Sequence, residues 1–340
     1  MTWFIGAALV SLGVAVVGWI VLLCWRILLP STLKLLRVNS NQLGRTLHAI
    51  IYYRWYEQYV RAALRYLHIP ALRDWAVDNY HSKVITPELA QAIVTLDRDI
   101  PLKDLEQIVP YPNARNLMLS ASPDVALTEC PCRNIRESHC QPTQVCMVIG
   151  QPFVDFLLEH RPHVSRHVTL AEALELLKEE HERGHVHSAW FKDAFGGRMF
   201  AICNCCKCCC GAIEIMSKHG ADLFAPSGFV ARIDEDRCVA CGVCEESCPF
   251  DAISAQQVAS VDFVQCRGCG VCVSKCQCDA IALVRDESKG IPFDVRLLAG
   301  DMQQEQWTPP DAPHDSILAP RLSGFRQNAG DSKGRAKKVG

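Results

Sequence analysis

Six cysteines occupy eight consecutive positions in the stretch CNCCKCCC, residues 203–210. Thiolates at such close spacing bind soft metals or iron–sulfur clusters, and in an oxidising compartment they form disulfides. The chain contains 20 cysteines among its 340 residues, and they cluster as metal ligands do. The formal net charge of -2 gives no basis for nucleic-acid binding, so no nucleic-acid partner is expected.

A repeat with a period of 28 residues follows this stretch. The segment CVACGVCEESCPFDAI, from Cys238, aligns with CRGCGVCVSKCQCDAI, from Cys266, and each copy has the pattern C-x2-C-x2-C-x3-C. Loops with two residues between thiolates wrap one face of an iron–sulfur cubane, and Gly242 and Gly270 let the backbone turn close to the inorganic sulfur. Two complete copies favour iron–sulfur clusters over zinc.

Residues from about Arg232 to Leu283 resemble the bacterial ferredoxins with two [4Fe–4S] clusters. The resemblance implies a small βαβ-repeat fold in which the fourth cysteine of each motif ligates the other cluster. It assigns one cluster to Cys238, Cys241, Cys244 and Cys276, and the other to Cys266, Cys269, Cys272 and Cys248. Gln277 replaces the second proline of the pattern, and Cys278 is interpreted as a small core residue rather than a ligand.

The stretch CNCCKCCC contains C-x2-C-x2-C with an interleaved C-x2-C, and neither pattern supplies four ligands for a cluster of its own. The missing ligands are expected from ECPCRNIRESHCQPTQVCMVIG, residues 129–150. One arrangement takes three ligands from residues 203–209 and one upstream for a first cluster, with Cys205, Cys208 and two upstream cysteines for a second. We predict one or two further clusters with these candidate ligands: Cys130, Cys132, Cys140, Cys146, Cys203, Cys205, Cys206, Cys208 and Cys209.

Two basic residues, Arg133 and His139, lie beside these candidates. We interpret them as surface residues, with hydrogen bonding to a cluster as the alternative. Residues 85–283 are also similar to a group of bacterial and archaeal 4Fe-4S-binding proteins with an ECxCR-type motif, a CNCC-type string and a C-terminal ferredoxin module. That similarity implies iron–sulfur binding without a particular reaction.

Two other interpretations of CNCCKCCC remain open. A store for zinc or Cu(I) uses the same thiolates. The residues Cys209, Cys210 and Gly211 also resemble the CCG motif of heterodisulfide-reductase-type subunits, which implies a catalytic non-cubane cluster.

The beginning of the chain contains a long apolar segment. Residues 3–25 carry no charged side chain, and about 20 apolar residues are enough for a membrane-spanning helix. The absence of a basic n-region and the length of the segment favour a retained anchor over a cleaved signal peptide. Basic residues follow the segment and none precedes it. The positive-inside rule therefore predicts a single-pass cell-membrane protein with its body in the cytoplasm, where thiols stay reduced.

The predicted fold class is α+β, in five parts. We expect a transmembrane anchor at 1–28, a basic and aromatic helical segment at 29–84, a mainly helical cysteine-rich domain at 85–230, a ferredoxin domain at 231–285 and a flexible tail at 286–340. The tyrosine-rich helix of the second part fits either the membrane surface or the surface of the soluble domain. Thr169 and Glu172 predict a capping box, and RMFAIC predicts a strand that leads into CNCCKCCC.

These observations predict a membrane-anchored iron–sulfur protein that relays electrons to a redox partner protein at the cytoplasmic membrane face, in contact with membrane lipid. The predicted cofactors are two [4Fe–4S] clusters and one or two additional iron–sulfur clusters. No Gly-rich phosphate loop and no nucleophile–base pair is evident, which favours a carrier or an oxidoreductase subunit over a stand-alone enzyme. The alternatives are a reductase subunit with a catalytic upstream cluster, and a protein that delivers soft metals or clusters.

Overall fold

A seven-stranded mixed sheet carries the cysteine-rich region in the computed structural model, which describes residues 28–97, 100–102, 117–119 and 123–298. Its strands are β1 (Tyr80–Ile85), β4 (Val125–Glu129), β5 (Gln144–Ile149), β6 (Ser165–Val168), β7 (Val186–Lys192), β8 (Arg198–Cys205) and β9 (Phe224–Ala225). Their order in the sheet is β6-β4-β5-β8-β7-β1-β9, and every pair is antiparallel except β1–β9. Strands β2 (Ile100–Leu102) and β3 (Leu117–Leu119) form a separate antiparallel pair.

Helices cover this sheet and connect its strands. The helices before the ferredoxin region are α1 (Pro30–Val38), α2 (Leu43–Arg54), α3 (Tyr56–Tyr66), α4 (Pro70–Asn79), α5 (Pro87–Val94), α6 (Pro131–Asn134), α7 (Phe153–His160), α8 (Leu170–Glu182) and α9 (Gly211–His219). The predicted capping box of α8 is confirmed: the Glu172 backbone N–H donates to Thr169, and the Thr169 N–H donates to the Glu172 carboxylate.

The sheet contradicts the prediction of a mainly helical cysteine-rich domain. Among the strands between residues 123 and 205, only β8 is indicated by the sequence. The others escape prediction because they are short and, as in β5 and β7, buried on both faces. The apolar run of β5 lacks the alternating pattern of a half-buried strand and resembles a segment of buried helix, and the apolar residues of β7 are interrupted by His187, Ser188 and Lys192.

The tyrosine-rich helices α2 and α3 pack on the protein. Tyr53 and Tyr56 are buried in a core cluster together with Phe156 and Phe195. Among the residues that the structure describes, no helix combines the length and the apolar character needed to cross a bilayer. This finding contradicts the predicted single-pass membrane anchor, and the segment for which it was predicted, residues 3–25, lies outside the described residues.

The ferredoxin region repeats its backbone conformation after 28 residues, as its sequence does. Helix α10 (Val243–Ser247) corresponds to α11 (Val271–Lys275), and the glycines that precede them have φ angles of 77° and 82°. Positive φ angles also recur at Ala240 and Gly268. Strands β10 (Phe229–Ile233) and β13 (Ile281–Arg285) pair antiparallel, as do β11 (Ile253–Ala255) and β12 (Ala259–Val261).

The described structure continues after β13 to residue 298. Residues 286–298, which the sequence assigns to a flexible tail, contain a 3-10 helix (Glu287–Lys289) and the short helix α12 (Val295–Leu298). Phe293 is fully buried, with its ring 5.8 Å from that of Phe191. The ferredoxin region is therefore fastened to the seven-stranded sheet from both of its ends.

Candidate metal centres

The structure brings the eight ferredoxin cysteines together as two quartets, each around one small cavity. The first cavity is lined by Cys238, Cys241, Cys244 and Cys276. The second is lined by Cys248, Cys266, Cys269 and Cys272. Cys278, interpreted as a core residue, also lines the first cavity and is half-buried.

Backbone amides of the loops point at the sulfur atoms of these quartets. The N–H groups of Ala252 and Ala280 each donate to a cysteine Sγ, that of Cys248 and that of Cys276, over 3.3 Å. Such hydrogen bonds stabilise thiolates and are one of the features that set the potential of an iron–sulfur cluster. The donor set and the orientation of the amides fit [4Fe–4S] clusters.

Six further thiols form a closed ring above the seven-stranded sheet. Each thiol interacts electrostatically with the next, in the order Cys130, Cys132, Cys210, Cys205, Cys203 and Cys146, Cys146 interacts with Cys130, and all six line one cavity. We call this set the six-thiol ring. It joins residues from both cysteine-rich stretches, as the sequence predicts for the missing ligands.

The local backbone explains how this ring forms. Cys203 and Cys205 lie two residues apart in β8 and therefore point to the same face of the sheet. The pairing of Met147 with Ile202, continued by one residue, sets Cys146 of β5 beside Cys203. The remaining three ring members belong to helix starts: Cys130 is the N-cap of α6, Cys132 lies in its first turn, and Cys210 is the N-cap of α9.

The six-thiol ring forms one wall of a cavity of about 320 Å³. The cavities inside the two ferredoxin quartets measure only about 20 and 10 Å³. The opposite wall is almost entirely apolar and consists mainly of the rings of Tyr52, Tyr53, Tyr56, Tyr59, Trp75, Tyr80, Trp190 and Phe200. The space beside the ring thus exceeds what a cubane site in the same molecule leaves open, and its lining is mainly apolar.

A fully buried arginine reaches this cavity. Arg133 Nη2 lies 2.5 Å from Glu180 Oε2 and also donates to the Asn204 carbonyl over 3.3 Å. Arg133 Nε is buried and has no hydrogen-bond partner in the described part of the chain. Arg133 is therefore not the surface residue that the sequence suggests. An unpaired donor beside six thiols fits an anionic metal centre, to which it is able to donate.

Another basic residue, Lys192, lies behind the aromatic wall of the cavity. Lys192 is fully buried, and its Nζ lies 3.0 Å from the ring centroid of Tyr52 and 4.2 Å from that of Tyr80. Burial lowers the pKa of Lys192 well below its ordinary value. The side chain lies beneath the rings and does not contribute to the lining of the cavity.

A second, more compact group of four thiols lies beside the ring. The Sγ atoms of Cys140, Cys206, Cys208 and Cys209 all lie within 4.8 Å of one another. We call this group the compact quartet. Cys140 belongs to the loop between α6 and β5, and the other three to the loop between β8 and α9. Cys208 is exposed, whereas Cys206 and Cys209 are buried.

One thiol, Cys209, differs from the others in the direction of its pKa shift, because burial raises the pKa of Cys140, Cys206 and Cys208 as it does in the ring. In the six-thiol ring, the interactions of each thiol with its two neighbours shift its pKa in opposite directions, and burial raises the pKa of every member, that of Cys132 to about 12. In the compact quartet, burial favours the neutral thiol of Cys209, but hydrogen bonds from the Cys140 backbone and from neighbouring thiols outweigh it and lower the pKa. Without metal the ring is therefore protonated, and metal binding there releases protons.

The structure corrects the predicted division of ligands. Cys205 and Cys208, which the sequence assigns to one cluster, belong to different groups. Cys210 is a ring member that the candidate set omits. Its signal in the sequence is its place immediately before Gly211, where the string ends and a helix begins.

One comparison with known proteins bears on these centres. Residues 231–254 match the family described as 4Fe-4S binding domain. This match and the cysteine groups fit an iron–sulfur protein. The matched segment contains Cys238, Cys241, Cys244 and Cys248, the first ferredoxin motif, and it supports an electron-transfer role in general. No curated protein matches the chain.

Proposed function

We propose that this iron–sulfur protein transfers electrons between a redox partner protein and a third centre in the six-thiol ring, through two ferredoxin-type [4Fe–4S] clusters. The observation that carries the proposal is the arrangement of eight cysteines as two quartets, each with the composition that the two-cluster pattern requires. Iron–sulfur clusters supply the chemistry of single-electron exchange. The residues provide the ligands, the amide donors and the apolar surroundings.

The centres differ in how deeply they are buried, and the first ferredoxin quartet is more exposed than the second. In the first quartet Cys241 is exposed, and the neighbouring Val239 has 67% of its surface accessible. The second quartet is buried and shares one hydrophobic core with the ring members Cys205 and Cys210. We infer that the partner protein docks at the exposed edge of the first quartet, because the exposed ligand Cys241 allows close approach of a partner's own centre.

Packing supports a route between the buried quartet and the ring. Trp190, which lines the large cavity, packs its ring 5.7 Å from that of Phe224. Phe224 in turn lies 5.6 Å from Phe250, which lines the buried quartet's cavity. A continuous apolar core holds the buried quartet and the ring in fixed positions and keeps water away from the path between them.

The size of the cavity favours one other function, that of a reductase. Cavities of about 300–1,000 Å³ accommodate small-molecule ligands, and the volume beside the ring, about 320 Å³, falls in that range. In that case a small apolar substrate binds between the ring and the tyrosine wall and receives electrons there. A metal delivery protein is less compatible, because delivery requires exposed ligands and none of the six ring thiols is exposed.

Metal analysis and EPR of anaerobically purified full-length protein test the proposal. We expect more iron and labile sulfide than two [4Fe–4S] clusters contain, and stepwise reduction that reveals the ferredoxin signals and at least one further signal. An iron content that accounts for just two cubanes would contradict a third centre in the ring. Cyanide or carbon monoxide distinguishes the two functions: a perturbed third signal indicates an open coordination position and the reductase, and an unchanged signal indicates the carrier.

A further inference from the structure

The compact quartet differs in geometry from both ferredoxin quartets. Cys140 Sγ lies 3.1 Å from Cys208 Sγ, and Cys208 Sγ lies 3.5 Å from Cys209 Sγ. Among the described residues, no other set of three or more metal-ligating side chains lies within 4.8 Å throughout. The sulfur atoms of both ferredoxin quartets and of the six-thiol ring are therefore spread more widely than those of the compact quartet.

This difference has a simple geometric meaning. Each thiolate on a cubane binds a different iron atom, so the core holds the four sulfurs apart. Four thiolates on one ion share a single centre. With metal–sulfur bonds of about 2.3 Å, a tetrahedron places its sulfur atoms about 3.8 Å apart. The quartet's two shortest given distances, 3.1 and 3.5 Å, and its upper limit of 4.8 Å bracket this value, and the cubane quartets of the same molecule provide the internal comparison.

The surroundings of the compact quartet suit a negatively charged tetrahedral centre. The guanidinium of Arg136 donates to the Cys209 carbonyl over 3.2 Å and pairs with Glu214, which fixes the loop to helix α9. The positive charge of Arg133 acts on Cys206. Four thiolates around one divalent ion carry an excess of two negative charges, and since Arg133 and Arg136 are themselves paired with Glu180 and Glu214, they offset only a small part of it.

We propose that Cys140, Cys206, Cys208 and Cys209 bind one divalent metal ion, zinc or iron, with tetrahedral coordination by four thiolates. Tetrahedral sites with four thiolates are typical of both metals. The proposal does not depend on the electron-transfer function, because it rests on the spacing of the four sulfurs alone.

The position of the quartet in the chain gives the ion a role. Its three downstream ligands lie between Cys205 and Cys210, which are both members of the six-thiol ring. Cys140 belongs to the loop that joins the helix with Cys132 to the strand with Cys146. A bound ion therefore cross-links the two loops that carry ring ligands, while the ring keeps its own six thiols for its own centre. Lys207, in the same loop, also pairs with Asp251 of the ferredoxin region over 2.5 Å.

X-ray absorption spectroscopy of the wild-type protein, purified anaerobically, tests the proposal without any substitution. If the ion is zinc, we expect about one zinc per chain with a single sulfur shell near 2.3 Å and no metal neighbour. If the ion is iron, Mössbauer spectra contain a component from about one mononuclear iron per chain. Iron that is entirely in clusters, with no zinc, overturns the proposal.

A double variant locates the ion. Cys140→Ser/Cys208→Ser is expected to lose that one ion and no labile sulfide, and Cys278→Ser is the matched control that keeps it. Loss of four irons with four sulfides indicates a cubane and contradicts the proposal, as does unchanged metal content. The ferredoxin EPR signals are followed in the same samples, so that a failure of the electron-transfer function is recognised separately.

Discussion

Arg133 Nη2 and Glu180 Oε2 lie 2.5 Å apart, and neither side chain reaches solvent. Replacing one partner of such a pair leaves a buried charge without compensation. We expect Glu180→Gln to lower the free energy of unfolding by about 3–5 kcal/mol. The exposed neighbour Glu179, which pairs with Arg183 over 3.0 Å, provides the control: Glu179→Gln is expected to cost at most about 1 kcal/mol. Anaerobic denaturation midpoints measure both, and equal small losses would contradict the importance of the buried pair.

Two glycines of the ferredoxin region share a backbone conformation but differ in the space around them. Gly242 and Gly268 have φ angles of 77° and 63°; a Cβ on Gly242 meets no atom within 4 Å, whereas one on Gly268 collides with the Phe229 carbonyl and Ser227 Oγ. We expect Gly268→Ala to cost about 1–3 kcal/mol more than Gly242→Ala, because overpacking adds to the shared backbone strain. Thermal unfolding checks the difference, and EPR should show that Gly268→Ala weakens cluster retention. Equal stability of the two variants would refute the steric argument.

The fold of the ferredoxin region is predictable from the sequence because the features that determine it are local in the chain. Tandem cysteine motifs, glycines with positive φ and short helices repeat over 28 residues, and the structure repeats in the same places. The seven-stranded sheet depends on pairings between distant segments, such as β1 with β7. A strand such as β5, buried on both faces, carries no alternating pattern in its own residues. Local capping signals, including Thr169, remain readable in that region.

The cysteine-rich site also has one part that the sequence predicts and one part that it does not. That CNCCKCCC takes ligands from residues 130–146 is predictable, because neither pattern in the string is complete. The assignment of each thiol is not predictable, since it depends on which face of β8 a residue occupies and where α9 begins. Cys210 enters the ring because it is the N-cap of α9. Arg133 is buried through its pairing with Glu180, which lies on another helix and follows no motif.

Lys192 should make stability depend on pH on the alkaline side. Burial lowers its pKa in the folded chain, whereas the unfolded chain keeps the ordinary value of 10.5. Below pH 10.5 unfolding takes up a proton, so the stability of the wild type rises with pH, by at most about 1.4 kcal/mol per pH unit. We expect Lys192→Met to be more stable than the wild type at pH 7 and to lose this advantage towards pH 10.5. If Lys192→Met is less stable than the wild type by an amount that does not change with pH, Lys192 is a protonated ammonium held by the rings of Tyr52 and Tyr80.

The six-thiol ring predicts which cysteine variants share an effect. Cys146 and Cys203 belong to different stretches of the sequence but are neighbours in the ring. Serine is a poor ligand for iron, so Cys146→Ser and Cys203→Ser are expected to lose the same iron and the same EPR signal. Because metal binding contributes to folding free energy, both variants should also unfold at lower temperature than the wild type.

Variants outside the ring sharpen this prediction. Cys278→Ser, in the ferredoxin region, should retain the ring signal, and Cys208→Ser should remove the single ion of the compact quartet before any cluster iron. The ferredoxin signals should persist in Cys146→Ser and Cys203→Ser, since the eight ligands of those clusters lie between Cys238 and Cys276. Iron content, labile sulfide and EPR of each single variant are the measurements. If Cys146→Ser keeps every signal of the wild type while Cys203→Ser does not, the two thiols do not serve one centre.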